Sequence, residues 1–292
     1  MNKFHGTGVA MVTPFQADGQ IDYDGLDKLI NSLIDGGVEY LVSLGTTGES
    51  ATLSSEERKK VWAFTAKTVK GRVGLIAGIG GNNTAEVVEQ VKQFDTTGYD
   101  AILSASPHYN KPTQEGIYQH YKAIAAAAPL PVILYNVPSR TGSLVSADTI
   151  VRLAHDFKNI IGIKEASGNF DHINHLMRDK PESFLVISGD DPVTLPMIAL
   201  GAVGLISVTG NALPHKTSDM VRTCLSGDFK AAQKKHSALI EFTRLMFVEG
   251  SPAGIKTSLK HLAVCNDTVR LPLVQVSDDT AQRIIKETNK LA

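Results

Sequence analysis

The chain has 292 residues, a length that gives about two domains as a soft prior and equally suits a single α/β barrel of roughly 250 residues. Its 29 Lys and Arg against 30 Asp and Glu leave a formal charge of −1, with 20% charged and 42% hydrophobic residues. This composition excludes low-complexity disorder, and the near-zero balance gives no long-range pull toward nucleic acid or an anionic membrane.

At the N-terminus the apolar run Gly8 to Val12 is cut short by Thr13-Pro14, too early for a signal-peptide core. The two cysteines, Cys224 and Cys265, form no CxxC pair, so neither a disulfide scaffold nor a cysteine-rich zinc site is supported. Pro192 to His215 lacks Asp, Glu, Lys and Arg and passes the length test for a membrane span. Three prolines and three glycines interrupt it, so it reads as a buried helix, a buried strand and a loop. The expectation is a soluble, cytoplasmic protein.

Short apolar runs predict strands over 7–13, 38–44, 73–79, 100–105, 131–136, 160–164, 184–188 and 203–207. Several, such as Pro131-Val132-Ile133-Leu134-Tyr135, are apolar on both faces, the pattern of a parallel sheet. Helical patterns lie between them. Leu26, Leu29, Ile30 and Leu33 form a one-sided stripe that Gly36-Gly37 ends. Ser54 and Glu57 read as a capping box, and Asp191-Pro192 as an N-cap with proline at the first helical position. Eight strand-then-helix units close naturally into a (β/α)8 TIM barrel over residues 1–225, with a doubly wound open sheet as the alternative. Beyond residue 225 the strand signals stop. Helices over 228–248, 251–264 and 277–291 make a C-terminal extension, 226–292, expected to pack on the barrel.

In such a barrel, function belongs at the C-terminal ends of the strands. Four of these ends are chemically loaded. The sharpest is Lys164-Glu165, after the apolar run of the sixth strand. Lys164 has two readings: a strand-end lysine that snorkels or pairs with Glu165, or an amine desolvated in a barrel mouth. Desolvation disfavours an ammonium, and a neutral amine can attack a ketone to form a Schiff base. Tyr135 ends the fifth strand, as core aromatic or as proton shuttle, with hydroxyls of Thr46, Thr47 and Tyr109 as relays. Gly45-Thr46-Thr47-Gly48 is either a plain turn or an anion cradle. Arg140 is either a surface ion-pair partner or a fork for a carboxylate.

Other signals carry less. Gly78-Ile79-Gly80-Gly81-Asn82-Asn83 lacks the third glycine of a dinucleotide loop. His172 and His175 lie three apart on a predicted helix, without partners for a metal, and read as surface residues. An N-cap accounts for at least one of Asp190 and Asp191.

Taken together, Gly45-Thr46-Thr47-Gly48-Glu49-Ser50, Tyr135-Asn136-Val137-Pro138-Ser139-Arg140-Thr141-Gly142, Gly162-Ile163-Lys164-Glu165-Ala166 and Gly204-Leu205-Ile206-Ser207-Val208 resemble the dihydrodipicolinate synthase family over essentially the whole chain. The resemblance implies a class I pyruvate-dependent aldolase-type lyase that joins pyruvate to aspartate 4-semialdehyde in the diaminopimelate route to lysine. It implies no metal or cofactor, only a covalent imine of pyruvate on Lys164. Tyr135 matches the proton donor and acceptor. Thr46 and Tyr109 match its relay partners, the tyrosine reaching into a neighbouring subunit. Thr47 and Ile206 match pyruvate-binding positions, and Arg140 the arginine that holds the semialdehyde carboxylate. A homotetramer built as a dimer of dimers is implied as well.

Many relatives are inhibited by lysine. Asn82 and Glu86 match polar positions of that site and Ser50 and Ala51 match as well, whereas Ser55, Arg58 and His108 depart from it. Arg58 would repel the ligand's ammonium, so weak or no inhibition is expected. The alternatives are an N-acetylneuraminate lyase or a 2-keto-3-deoxy sugar-acid aldolase on the same scaffold, or a non-catalytic barrel that binds a keto acid.

Overall fold

The structure, a computed structural model, describes residues 3–292. Eight strands form one closed, all-parallel barrel in sequential order. They are β1 (Gly6–Ala10), β2 (Tyr40–Ser43), β3 (Gly74–Gly78), β4 (Ala101–Ala105), β5 (Val132–Asn136), β6 (Ile160–Glu165), β7 (Leu185–Ser188) and β8 (Gly204–Ser207). The closed (β/α)8 expectation therefore holds and the open sheet does not. Around the strands lie α1 (Tyr23–Asp35), α2 (Ser55–Val69), α3 (Thr84–Lys92), α4 (Gln114–Ala127), α5 (Pro138–Thr141), α6 (Ala147–Asp156), α7 (Phe170–Asp179), α8 (Thr194–Ala199) and α9 (Pro214–Leu225). The chain then continues as α10 (Phe229–Leu245), α11 (Ala253–His261) and α12 (Asp278–Leu291), and α10 packs on α8 and α9.

Helix α1 buries Leu26, Leu29, Ile30 and Leu33, each contributing about 1.5–3 kcal/mol by removal from water. Asp22 caps its start through Gly25 N–H. The capping box of α2 is present in both directions, Ser54 N–H donating to Glu57 at 2.8 Å and Glu57 N–H to Ser54 Oγ at 3.2 Å. The first strand stops at Ala10, short of the expected residue 13. Met11 N–H still donates to Val42 O, and beyond it side chains replace the ladder: Val12 N–H donates to Asn211 Oδ1, and Thr13 Oγ1 to Gly48 O.

The interior divides into two apolar layers. One, between strands and helices, holds α1 and most outward-facing strand residues. The other fills the barrel with Phe4, Tyr40, Ile76, Leu103, Ile133, Tyr135, Ile187 and Ile206. Tyr40 fits only because position 8 is glycine; a Cβ there would stand 2.1 Å from its ring. Pro192 to His215 forms no span. It holds the end of a 3-10 turn, α8, β8, a second 3-10 turn and the start of α9, and among the described residues no helix is long and apolar enough to cross a membrane.

Candidate active site

Strand alternation decides which residues meet. Tyr135 pairs with Lys164 across β5 and β6, and Asn136 pairs with Glu165. Successive side chains point to opposite faces of a strand. Tyr135 and Lys164 therefore enter the barrel, while Asn136 and Glu165 face outward beneath the helices.

Lys164 is 4% exposed, and its Nζ lies 4.4 Å from the centroid of the Tyr135 ring, itself 6% exposed. The amine makes no hydrogen bond or ion pair to any described residue. Pairing with Glu165 is thus excluded, because that carboxylate sits on the other face. Gly189, just past β7, leaves room for the lysine stem: a Cβ there would come within 2.8 Å of Lys164 Cγ and 2.9 Å of Cε. Asp190 is half-buried beside it. Burial, with the neighbouring Asp191, pushes the Asp190 carboxyl upward, and the charge of Lys164 pulls it back. Gly189 and Asp190 were absent from the sequence-derived site; a Gly-Asp pair directly after a barrel strand was the available signal.

Ile206 on β8 is fully buried in the same interior layer. After β2 the chain turns through a 3-10 helix, Thr46–Gly48, and leaves it at Glu49 in the left-handed region, φ 52°. Thr47 is buried and Thr46 exposed, and neither hydroxyl, nor that of Tyr135, bonds to a described residue. The Tyr135–Thr46 relay suggested by the sequence is not closed by a direct hydrogen bond within this chain. Tyr109 is 85% exposed at φ 73°, at the tip of the loop after β4, and its N–H donates to Thr141 O at 3.3 Å. Its ring does not join the site of its own chain. Arg140 is exposed in α5, a single short turn of helix, with no ion pair.

Of the remaining candidates, Ser50 is half-buried, and Ala51, Asn82, Glu86 and His108 are exposed. Asn82 Nδ2 donates to His108 O at 3.4 Å, Glu86 accepts from Asn83 at 2.8 Å, and Arg58 donates to Ser55 Oγ at 3.2 Å.

Two readings of the sequence are corrected. His175 is exposed, but His172 is buried, 3.2 Å from Glu165 Oε2, so only one of the two is a surface residue. Asp191 caps no helix with its side chain. Its carboxylate accepts from Ser207 Oγ and from Val208 N–H instead, tying the turn after β7 to the end of β8. Burial pushes its carboxyl upward and these two bonds oppose the shift. Asp190 makes no side-chain cap either. No cluster of three or more His, Cys, Asp or Glu among the described residues could hold a metal ion.

The site is thus an amine beside a phenol at the C-terminal mouth of a parallel barrel, with unengaged hydroxyls above. Residues 3–290 match the model of the dihydrodipicolinate synthetase family. The chain belongs to that family. It is 51% identical to a 4-hydroxy-tetrahydrodipicolinate synthase of Flavobacterium psychrophilum, over 100% of both chains. A solved dihydrodipicolinate synthase from Aquifex aeolicus matches at a TM-score of 0.95 and 41% identity, covering 98% of each chain. One from Acinetobacter baumannii, complexed with pyruvate, matches at 0.94 and 39%, covering 98% of this chain and 99% of that one. This family member is accordingly an enzyme of the lyase class with 4-hydroxy-tetrahydrodipicolinate synthase activity.

Proposed function

We propose that the enzyme condenses pyruvate with aspartate 4-semialdehyde through an imine on Lys164. The supporting observation is the buried, unpaired amine 4.4 Å from the Tyr135 ring. The nucleophile toward a ketone carbon is the neutral amine, and an amine held by no direct hydrogen bond or salt bridge is free to turn its lone pair to that carbon. Its attack on the ketone carbon and loss of water give the imine, whose nitrogen draws electrons from the adjacent methyl. Tyr135 relays protons as the enamine forms. The enamine carbon attacks the aldehyde; the substrate's amine then displaces Lys164 and closes the ring. Thr47 and the 3-10 turn hold the pyruvate carboxylate beside Ile206. Thr46 and a partner subunit's tyrosine, equivalent to Tyr109, complete the relay, which accounts for an 85% exposed aromatic at a loop tip. The active unit is then at least a dimer, in a homotetramer.

Arg140 selects the second substrate, since a sugar polyol has no carboxylate to meet it. Residues 226–292 are an appendage of the 1–225 barrel, and the two free, buried cysteines suit the cytoplasm. Lysine inhibition is weak or absent, because Arg58 stands beside Ser55 where the ammonium would bind.

Parallel assays of semialdehyde condensation and sugar-acid cleavage test the substrate assignment. Condensation is expected to be the faster reaction. Arg140→Leu should raise the semialdehyde KM about tenfold or more, the loss of one charged hydrogen bond, and leave pyruvate trapping unchanged. Faster cleavage of N-acetylneuraminate would replace this reading with the lyase alternative.

A further inference from the structure

Behind the Lys164–Tyr135 pair lies a buried polar cluster that the reaction itself does not use. Glu165 is fully buried and accepts three hydrogen bonds. Asn136 Nδ2 donates to Oε2 at 2.8 Å, the Ser167 N–H to Oε1 at 2.7 Å, and His172 Nε2 to Oε2 at 3.2 Å. His172 Nε2 also lies 3.4 Å from Asn136 Nδ2; an ionised carboxylate accepts only, so the Nε2–H tautomer is assigned to the shorter contact with Oε2, and Asn136 Nδ2 to its own 2.8 Å bond. Asn136 in turn accepts from the Val145 N–H at 3.1 Å. The cluster therefore joins the end of β5, the end of β6, the turn after it and the first turn of α7. Each strand member of the cluster directly follows a proposed reacting residue: Asn136 follows Tyr135, and Glu165 follows Lys164.

We infer that His172 is a positioning residue: through Glu165 and Asn136 it holds the ends of β5 and β6 in register, and with them the Lys164 amine against the Tyr135 phenol. Side chains alternate along a strand, so rotation of Glu165 out of its pocket turns Lys164 as well. Asn136 and Glu165 face each other one ladder step beyond Tyr135 and Lys164, so the cluster sets the spacing of the adjacent reacting pair. His172 is the member that closes it from the helix layer. It sits at the third residue of α7, where Asn169 Oδ1 accepts its backbone N–H at 3.2 Å. Without its imidazole donor, the buried carboxylate loses the bond that anchors it to α7. A displacement of about 1 Å at a reacting pair can cost on the order of 10²-fold in rate.

The inference rests on the assignment of Lys164 and Tyr135 to the chemistry. Two amides separate the roles. The side-chain amide of Gln stands where imidazole Nε2 stands and still reaches Glu165, whereas that of Asn stands where Nδ1 does and falls short. Both keep a polar residue at the same helix position. His172→Asn is expected to lower kcat by about 10- to 100-fold, with the pyruvate KM changed less than about threefold, and to slow borohydride trapping of the pyruvate imine in step. His172→Gln is expected to keep kcat within about threefold of the parent. Equal kcat in the two variants, or a loss accounted for by the unfolded fraction seen in a melting curve, overturns the inference. If His172→Asn does not fold, Asn136→Ala, which withdraws the other donor to Oε2, should lower kcat by about 10- to 100-fold with the pyruvate KM changed less than about threefold, and an unchanged kcat overturns the inference. Lys164→Ala runs beside them. If it still traps pyruvate, the site assignment has failed, and the positioning role with it. If it does not, and His172→Asn turns over normally, only the positioning role has failed.

Discussion

Glu49 and Glu165 are both buried carboxylates close after residues proposed to touch substrate, yet the fold holds them differently. Glu165 is satisfied locally: its partners are His172 seven residues on, Asn136 on the adjacent strand and the Ser167 N–H. Glu49 follows the Thr46–Gly48 turn and meets a full counter-charge from far away. Lys256, fully buried on α11, donates to Glu49 Oε1 at 2.5 Å across 207 residues and to Thr268 O at 2.8 Å. The Arg270 N–H donates to Glu49 Oε2, and the Arg270 guanidinium grips Glu57 and the Thr52 carbonyl. Burial pulls the Lys256 ammonium downward and the Glu49 carboxylate opposes it. The first half of the mouth is therefore braced by the tail, and the second by the barrel's own neighbours. An ion pair excluded from water is only as secure as both of its members, whereas the hold on Glu165 is divided among three neutral donors.

The largest effect should follow from breaking the long-range pair. Lys256→Met leaves a buried anion without its cation and is expected to cost about 3–5 kcal/mol in urea unfolding. Glu49→Gln/Lys256→Met keeps the acceptor for the Arg270 N–H and should recover most of that loss. Should the double variant be as unstable as the single one, the two residues do not act as a pair.

A third buried polar group sharpens the contrast, because it has no counter-charge at all. His120 on α4 is 3% exposed; its Nδ1 lies 2.9 Å from Thr84 Oγ1, and its Nε2 is unpartnered. Burial pulls its pKa down to about 4. The unfolded chain takes up a proton near pH 6.5 and the native state does not. Stability from this group is thus complete above pH 6.5 and falls as the pH drops toward 4, by about 3 kcal/mol in all. The difference in unfolding free energy between the parent and His120→Leu, followed from pH 7 to pH 4, should show that slope; a pH-independent difference would show that native His120 takes up its proton as readily as the unfolded chain does. The smallest effect concerns lysine. Titration should leave turnover nearly unchanged, and strong inhibition at sub-millimolar concentration would mean that Arg58 swings clear of the site.

These contrasts also explain what could be read in the sequence. The barrel was legible because strands buried on both faces announce themselves as apolar runs. Lys164 and Tyr135 were legible because a polar residue ending such a run is exceptional. The end of β1 was overrun because Val12 remains apolar after the chain leaves the ladder, where Asn211 replaces a strand partner. His172 was misread because its spacing from His175 suits an exposed helix face, while its burial depends on Glu165, a residue on the preceding strand. Asp191 was misread because Asp-Pro imitates a cap; the adjacency of β7 and β8 gives it Ser207 and Val208 instead. Nothing local could reveal Lys256, whose partner is brought to it by closure of the whole chain.

The most direct test is to reduce the enzyme with borohydride in the presence of pyruvate and locate the adduct by peptide mass spectrometry. A single modified residue, Lys164, is expected, with no modification in Lys164→Ala. An adduct on Lys256, the other buried lysine, or full turnover without any adduct, would contradict it.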